Sequence, residues 1–243
     1  MAEEVNENPS PARNFLEITE RATAYLRFIA ELGGTGFDLS KGNIDVIDSW
    51  GKVASGSTAP PDIFNNFIKC RQCTLAGQRQ HVIHGRGNPN ARLVIVGGIP
   101  EAEDAQTGKP YSGRAGALLD KILAAMTLSR DDVYLTFAVK CCLPDLTNPN
   151  TGVVNSCRAY LRKELIRLRP DIIFTFGEVA ASSLLETSVP LARLRGRFHD
   201  YKGIPLMPTH APEYLMKNVD AKREAWEDIK QVMGRLEGIS AKA

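Results

Sequence analysis

The chain has 243 residues, a formal net charge of +2 and 24% charged residues, a composition typical of a globular protein rather than a polycation. Any nucleic-acid binding must therefore come from a local basic surface. No apolar run reaches the roughly 18 residues of a membrane-spanning helix, and the polar start MAEEVNENPSP predicts no secretory signal. We therefore expect a cytoplasmic protein whose five cysteines are reduced thiols or metal ligands.

The first predicted element is an N-terminal helix. Ser10 provides a capping hydroxyl and Pro11 occupies the first helical position, a common helix start. Apolar residues then recur every three or four positions as far as Leu32, and two glycines follow. Residues 33–62 are rich in Gly, Ser, Pro and Asp, which indicates a linker. Residues 1–62 are therefore predicted to form a helical extension joined to the main domain by that linker.

From residue 63 onward, short apolar runs alternate with amphipathic segments. The pattern predicts, in chain order, strand 92–97, helix 113–126, strand 132–139, helix 157–168, strand 170–177, helix 178–185, strand 204–208 and helix 220–233. This alternation predicts an α/β fold, a three-layer α/β/α sandwich around a mostly parallel sheet. We place the domain at residues 63–236, followed by a loose tail at 237–243. In such sheets the active crevice lies beyond the carboxyl ends of the strands.

The cysteines form a second pattern. Cys70 and Cys73 make a C-x2-C pair, and Cys141 and Cys157 lie further along the chain. Four thiolates from two segments can hold a tetrahedral zinc ion or an iron–sulfur cluster. Buried free cysteines can also act as small apolar side chains, an interpretation that suits Cys142. Spacing alone favours a metal site and leaves its metal open.

Several motifs follow one another in order along the main domain. They are Cys70-x2-Cys73, HGRGNPNA (84–91), VIVG (94–97), GKPYSGRAG (108–116), VKC (139–141), Cys157-x2-Tyr160-Leu161, LRG (194–196) and Pro208-Thr209. This order resembles that of the family 4, or iron–sulfur, uracil-DNA glycosylases over about residues 66–235. The resemblance implies a DNA-repair hydrolase with a [4Fe-4S] cluster held by Cys70, Cys73, Cys141 and Cys157. It implies DNA as the partner, either single-stranded or as damaged duplex.

The resemblance also implies a base pocket, and this chain departs from the family pattern there. Tyr111 stands at the position of the stacking aromatic, with Gly97 and Pro100 beside it in the implied pocket. Phe137 replaces the asparagine that reads uracil, although an amide is the side chain that offers both a donor and an acceptor.

Two further positions of the implied pocket have lost their usual residue. Gly98 replaces an acidic residue, and Ala211 replaces a histidine. Loss of one donor to a developing anion costs roughly 3–4 kcal/mol in the barrier. Efficient uracil excision by the family's mechanism is therefore not expected.

Neighbouring residues can compensate, and each also has a simpler interpretation. Glu101 and Glu103 are candidate catalytic carboxylates, or solvated residues near a helix N-terminus. His210 is a candidate donor, or a packed loop histidine. Phe137 either contacts the base or is a residue of the apolar core.

The densest basic segment is LARLRGRFH, residues 191–199. Arg193, Arg195 and Arg197 occupy alternate positions there, and Lys217 follows later in the chain. With the resemblance, this pattern indicates phosphate contacts; the alternative is an ordinary solvated face.

Three functions remain open. The first is a glycosylase with an altered pocket, which releases uracil slowly or accepts another damaged base such as a deaminated purine. The second is a non-catalytic protein of the same fold that binds DNA or a partner protein. The third is a cluster-bearing redox or scaffold protein.

Overall fold

A computed structural model describes residues 70–79, 81–142 and 149–240. The chain divides into two compact units, Met1–Pro60 and Pro61–Ala243, and all described residues belong to the second. The predicted helix and linker at 1–62 lie outside the described residues.

The second unit is built on a central six-stranded sheet. Its strands, together with the two of a small separate sheet, are β1 (His81–Val82), β2 (Arg86–Gly87), β3 (Leu93–Gly97), β4 (Val133–Phe137), β5 (Cys141–Cys142), β6 (Ile172–Phe176), β7 (His199–Tyr201) and β8 (Ile204–Thr209). The central order is β2-β4-β3-β6-β8-β7, and β1 pairs with β5 in the small sheet. Strands β4, β3, β6 and β8 run parallel, while β2 and β7 are antiparallel edge strands. The prediction of a mostly parallel sheet is confirmed.

Seven α-helices occur among the described residues. They are α1 (Ala102–Thr107), α2 (Gly113–Ala125), α3 (Thr151–Leu168), α4 (Glu178–Leu185), α5 (Leu191–Leu194), α6 (Pro212–Lys217) and α7 (Ala221–Ser240). The predicted start of α3 at Cys157 is wrong, because the Asn150 side chain accepts a hydrogen bond from the Val153 amide and begins the helix earlier. The prediction of a loose tail from residue 237 is corrected, since α7 continues to Ser240.

The two faces of the sheet carry separate apolar cores. Leu93, Ile95 and Phe174 pack on one face with residues of α2 and α7. The alternating positions Val94 and Ile173 pack on the other face with residues of α3 and α4. Because strand side chains alternate in direction, buried strands covered by helices on both faces form a three-layer α/β/α sandwich. None of the helices in the described ranges is long and apolar enough to cross a membrane.

Candidate functional site

A cleft of about 820 Å³ opens at the carboxyl ends of β3, β4, β6 and β8, where the topology predicts the site. The residues that line it are Gly98, Ile99, Pro100, Glu101, Ala102, Glu103, Tyr111, Phe137, Phe176, Gly177, Glu178, Val179, Pro190, Leu191, Ala192, His210, Ala211, Glu213, Tyr214 and Lys217. Most of the residues predicted for the base pocket and for catalysis therefore meet in one cleft.

Tyr111 is held in the cleft wall by its backbone. Its φ of 54° lies in the left-handed region, which a non-glycine residue occupies at a cost. Arg130 donates to the carbonyl oxygens of Tyr111 at 2.8 Å and Pro110 at 3.3 Å, which stabilises this conformation. A Cβ at Gly116 would lie 1.8 Å from the Tyr111 carbonyl oxygen, so only glycine lets α2 approach this closely. The motif GKPYSGRAG therefore positions the Tyr111 ring.

Phe137 covers one face of the Tyr111 ring. The ring centroids are 4.9 Å apart with an interplanar angle of 30°, and each residue is 2% exposed. Phe176 meets Tyr111 edge-on at 6.2 Å. A Cβ at Gly97 would strike both Tyr111 and Phe137, so glycine is needed beneath the pair. Phe137 is thus a core residue that also forms part of the cleft floor.

The hydroxyl of Tyr111 is buried and has no hydrogen-bond partner within the described part of the chain. Burial and the nearby charges of Glu213, Asp104 and Glu101 raise the pKa of Tyr111 well above its usual value. A buried polar group without a partner normally costs about 1–3 kcal/mol. The oxygen lies against Gly97, because a Cβ at that position would strike it.

Glu101 is the residue immediately before α1, and its backbone is fixed. Asp104 accepts hydrogen bonds from the Glu101 amide at 2.8 Å and from the Ser112 amide at 2.6 Å, which joins α1 to the segment after Tyr111. Burial, followed by repulsion from Glu213 and Glu103, raises the pKa of Glu101 to about 7. Glu103 is exposed and would contact a Cβ at Gly113, so Glu101 is the better-placed carboxylate of the two predicted.

Glu213 is a cleft residue that the sequence did not single out for chemistry. It is the second residue of α6, half-buried, and burial raises the pKa of its carboxyl. Sequence patterns could not indicate this position, because Glu101 and Glu213 lie far apart in the chain. Both line the cleft only once β3 and β8 belong to the same sheet.

His210 lies at the cleft rim but is engaged with α7. Its Nε2 lies 3.0 Å from Glu224 Oε2, and its ring stacks on Tyr214 at 4.9 Å. Ala211 is the N-cap residue of α6 and offers no side-chain donor. These contacts match the interpretation of His210 as a packed loop histidine.

Of the residues predicted to contact phosphates, Arg195 differs from the others because acidic side chains already bind it. Its guanidinium pairs with Glu224 at 3.1 Å and with the fully buried Asp228 at 3.0 Å. Asp228 also accepts from the Thr209 hydroxyl at 2.7 Å. Arg195 thereby fixes the segment after α5 to β8 and α7, whereas Arg193, Arg197 and Lys217 are exposed.

Three of the four cysteines predicted as ligands pack in one cluster, and Arg79 links the fourth, Cys70, to Cys141. Cys73, Cys141 and Cys157 belong to one packed cluster. Arg79 donates to the Cys70 carbonyl oxygen at 2.7 Å and reaches Cys141 Sγ at 3.9 Å, and Tyr160 hydrogen-bonds to Cys70.

Cys142 is separate from these four. Its thiol donates to the Glu101 carbonyl oxygen at 3.3 Å, so it supports the cleft instead.

The donor set consists of thiols only, the kind of donors that zinc and iron–sulfur clusters take. In the described ranges, no three Cys, His, Asp or Glu side chains are gathered closely enough for a single metal ion. Burial raises the pKa of Cys157 to about 11 and also raises that of Cys141. Such thiols lose their protons only to a strongly bound cation, and sulfur-only donors suit iron–sulfur clusters as well as zinc.

Comparison with known proteins agrees with this geometry. The model of the uracil DNA glycosylase superfamily matches residues 84–230. A type-4 uracil-DNA glycosylase of Thermotoga maritima is 34% identical over 167 residues, covering 67% of this chain and 87% of that protein. One from Saccharolobus solfataricus is 30% identical, covering 72% and 85% respectively. A type-5 uracil-DNA glycosylase of Pyrobaculum aerophilum is 31% identical, covering 72% and 90%. The chain therefore belongs to the uracil DNA glycosylase superfamily.

Proposed function

We propose that the protein is an iron–sulfur DNA glycosylase with an altered pocket, which hydrolyses the N-glycosidic bond of uracil or another damaged base flipped out of DNA. The observation that carries this proposal is the position of Glu101, a half-buried carboxylate with a pKa of about 7 in the cleft beside Tyr111. A general base is most effective when its pKa lies near the working pH.

Each side chain of the cleft has its own role in the proposed reaction. Glu101 accepts a proton from the water that attacks C1′, and its negative charge supports the positive charge that develops on the sugar. Tyr111, Phe137 and Phe176 provide the apolar floor on which the base lies. His210 holds the rim through Glu224 rather than touching the base. Glu103, which is exposed, has a minor part.

Cys70, Cys73, Cys141 and Cys157 are the residues that would hold the [4Fe-4S] cluster. When bound, the cluster would tie the Cys70 segment to β5 and α3 and so stabilise the loop between Cys141 and Cys157. The chain's own contribution is the polar surroundings of the sulfurs, namely Arg79 and Tyr160. We expect this protein in the cytoplasm, where thiols stay reduced.

DNA would lie across the cleft mouth, as single strand or as damaged duplex. Arg193, Arg197 and Lys217 are exposed and are assigned to phosphates. Arg195 is assigned a positioning role, because its guanidinium already binds Glu224 and Asp228.

The test is base release from oligonucleotides that carry one uracil, hypoxanthine or xanthine, in single strands and duplexes, with anaerobically prepared protein. The Glu101→Gln variant keeps the side chain's shape and should lower release of the accepted base by roughly 100-fold or more. Glu227→Gln is the matched control, because Glu227 pairs only with Lys230 on the surface of α7 among the contacts described. Equal release by all three proteins would refute the role of Glu101.

One observation favours a second candidate, a non-catalytic DNA-binding protein. Phe137 occupies one face of Tyr111 and leaves both rings almost fully buried. If no base is released while DNA binding weakens steeply with salt, this candidate replaces the first.

A further inference from the structure

Two polar side chains, those of Arg79 and Tyr160, contact sulfur atoms of the cysteines assigned to the cluster. Arg79 donates to Cys141 Sγ at 3.9 Å, and the hydroxyl of Tyr160 hydrogen-bonds to the thiol of Cys70. Cys70 and Cys141 belong to different segments of the chain, so each segment has its own donor. Both contacts are made to the atoms that would bind iron.

Arg79 is held in place by further contacts. The same nitrogen that reaches Cys141, Nη1, donates to the Cys70 carbonyl oxygen at 2.7 Å. The backbone amide of Arg79 donates to the Leu75 carbonyl oxygen at 2.9 Å, and the residue is half-buried. Because a guanidinium does not lose its proton in a protein, Arg79 brings a permanent positive charge to the sulfurs.

The other surroundings of these sulfurs are largely apolar. Cys141 and Cys157 are each 5% exposed and pack in one cluster with Leu75, Val139 and Val153. Charge interactions and hydrogen bonds are stronger where water is excluded. A guanidinium at this position should therefore act on the sulfurs more strongly than one on the open surface.

Cys157 has a donor from the main chain instead. Its sulfur accepts a hydrogen bond from the backbone amide of Lys140, which no side-chain substitution removes. The ammonium of Lys140 is paired with the carboxylate of Glu164, so the pair adds little net charge. Arg79 and Tyr160 are therefore the side chains whose replacement can change the polar surroundings of the sulfurs.

The charge of an iron–sulfur cluster gives these contacts a chemical meaning. A cluster held by four thiolates becomes more negative when it takes up an electron. Hydrogen bonds to the sulfurs and nearby positive charge stabilise the added charge, so both raise the reduction potential. No bond forms or breaks in this step, and the electron stays on the cluster.

We propose that Arg79 and Tyr160 are positioning residues that raise the reduction potential of the cluster by donating to the sulfurs of Cys141 and Cys70. Arg79 contributes both a charge and a hydrogen bond, whereas Tyr160 contributes a hydrogen bond alone, so Arg79 has the larger effect. This inference rests on the iron–sulfur centre of the proposed function and names the side chains that set its properties.

The experiment compares the anaerobically purified wild type with four variants, Arg79→Gln, Arg79→Lys, Tyr160→Phe and Arg158→Gln. Iron and acid-labile sulfide are determined first. The midpoint potential of the one-electron couple is then measured by voltammetry of protein adsorbed on an electrode, which supplies the electron. Arg79→Gln should lower the ratio of reduced to oxidised cluster at a fixed potential roughly tenfold, a shift of about 59 mV. Tyr160→Phe should lower it less, and Arg79→Lys, which keeps the charge, should lie between Arg79→Gln and the wild type.

Arg158→Gln is the matched control. Arg158 directly follows Cys157, but its guanidinium pairs with Glu186 at 3.0 Å and donates to Asn155 at 2.7 Å. Its replacement removes a positive charge next to a ligand in the chain and should leave the potential unchanged.

A second readout needs no redox couple. Resonance Raman spectra report the stretching frequencies of the bonds between iron and the cysteine sulfurs. A hydrogen bond to a sulfur draws electron density away from that bond. The frequencies should therefore rise in Arg79→Gln and Tyr160→Phe and stay constant in Arg158→Gln.

The possible failures are distinguishable. A wild type with zinc, or without iron and sulfide, would overturn the cluster and this inference together, while base release tests the glycosylase function separately. A cluster whose potential and frequencies are the same in the wild type, Arg79→Gln and Tyr160→Phe would overturn this inference alone. An equal shift in Arg158→Gln would also overturn it, because any nearby charge would then suffice. If Arg79→Gln loses its iron, Tyr160→Phe, which keeps the aromatic ring, decides between these outcomes.

Discussion

Lys140 and Glu164 form an ion pair in the interior of the domain, with Nζ and Oε2 2.5 Å apart and side chains only 3% and 2% exposed. Tyr134 donates to the same carboxylate at 2.9 Å, and so does Thr136. Lys140 directly precedes Cys141, and Glu164 lies on α3, the helix that carries Cys157. The pair therefore joins the two segments that bring the later cysteines together.

Breaking this pair should destabilise the domain strongly. Glu164→Gln leaves a buried ammonium without its counterion, and such a loss costs about 3–5 kcal/mol. We expect a correspondingly large fall in the free energy of unfolding, measured by denaturant titration. Glu227→Gln breaks an exposed pair and should change it by less than about 1 kcal/mol. Similar losses in the two variants would show that the interior pair is not structurally important.

The free energy of unfolding of the domain should fall as pH rises, because of the raised pKa of the Glu101 carboxyl. Its folded pKa of about 7 exceeds the ordinary value of 4.5, so between these values the folded state holds a proton that the unfolded state has lost. Stability from this group is present below about 4.5 and is lost as pH rises through about 7. Burial is the largest cause of this raised pKa, followed by repulsion from Glu213, Glu103 and Asp104, while Lys217 lowers the pKa.

The variant Glu101→Gln tests this pH dependence. It should melt roughly 2 °C above the wild type near pH 8 and at nearly the same temperature near pH 5. Melting curves by circular dichroism at both pH values give the answer. A difference in melting temperature that does not change with pH would contradict the shifted pKa.

The aromatic pair in the cleft should limit uracil release. Phe137→Asn combined with Ala211→His introduces an amide and a donor at the positions where the resemblance implies them. We expect uracil release to rise above that of the wild type, while the loss of a buried phenylalanine lowers stability by about 3 kcal/mol or more. Ala211→His alone is the control, because it keeps Phe137 against Tyr111. A folded double variant with unchanged uracil release would show that these two positions do not set the substrate.

The proposed cluster predicts different effects for substitutions at the adjacent residues Cys141 and Cys142. Cys141→Ser should remove iron and acid-labile sulfide from anaerobically purified protein and lower its melting temperature. Cys142→Ser should keep the iron, because the Cys142 thiol contacts the Glu101 carbonyl oxygen instead. Equal iron content in the two variants, or zinc in the wild type, would contradict the assignment.

The strands were predictable because their signal is local. Leu93–Gly97 and Ile172–Phe176 are short, largely apolar runs that are buried along their whole length. The edge strands β2 and β7 span only two and three residues, too short for any periodicity. The start of α3 was missed because its first turns carry little apolar pattern, although Asn150 was a readable capping signal.

The site was predictable only in part, for a different reason. Tyr111, Phe137 and Glu101 follow motifs or strand ends, and the topology brings such residues to one edge of the sheet. The partners of His210 and Arg195 lie on α7. Local sequence patterns do not indicate ion pairs between segments that are distant in the chain. The partial burial of Glu213 and the unpartnered hydroxyl of Tyr111 arise only on folding, within the described residues, and sequence patterns do not report them.

The network around Asp228 has a consequence for how the domain is synthesised. Asp228 and Glu224 fix Thr209, Arg195 and His210 at the cleft rim, and Ile229 and Val232 from the same helix fill the core beneath the sheet. A nascent chain that had emerged from the ribosome only as far as Lys217 would lack all four of these α7 residues. One face of its sheet would be covered only in part, by α2, and Arg195 would lack both of its counterions. The domain can therefore complete its fold only after translation has passed α7, in one late cooperative step rather than strand by strand.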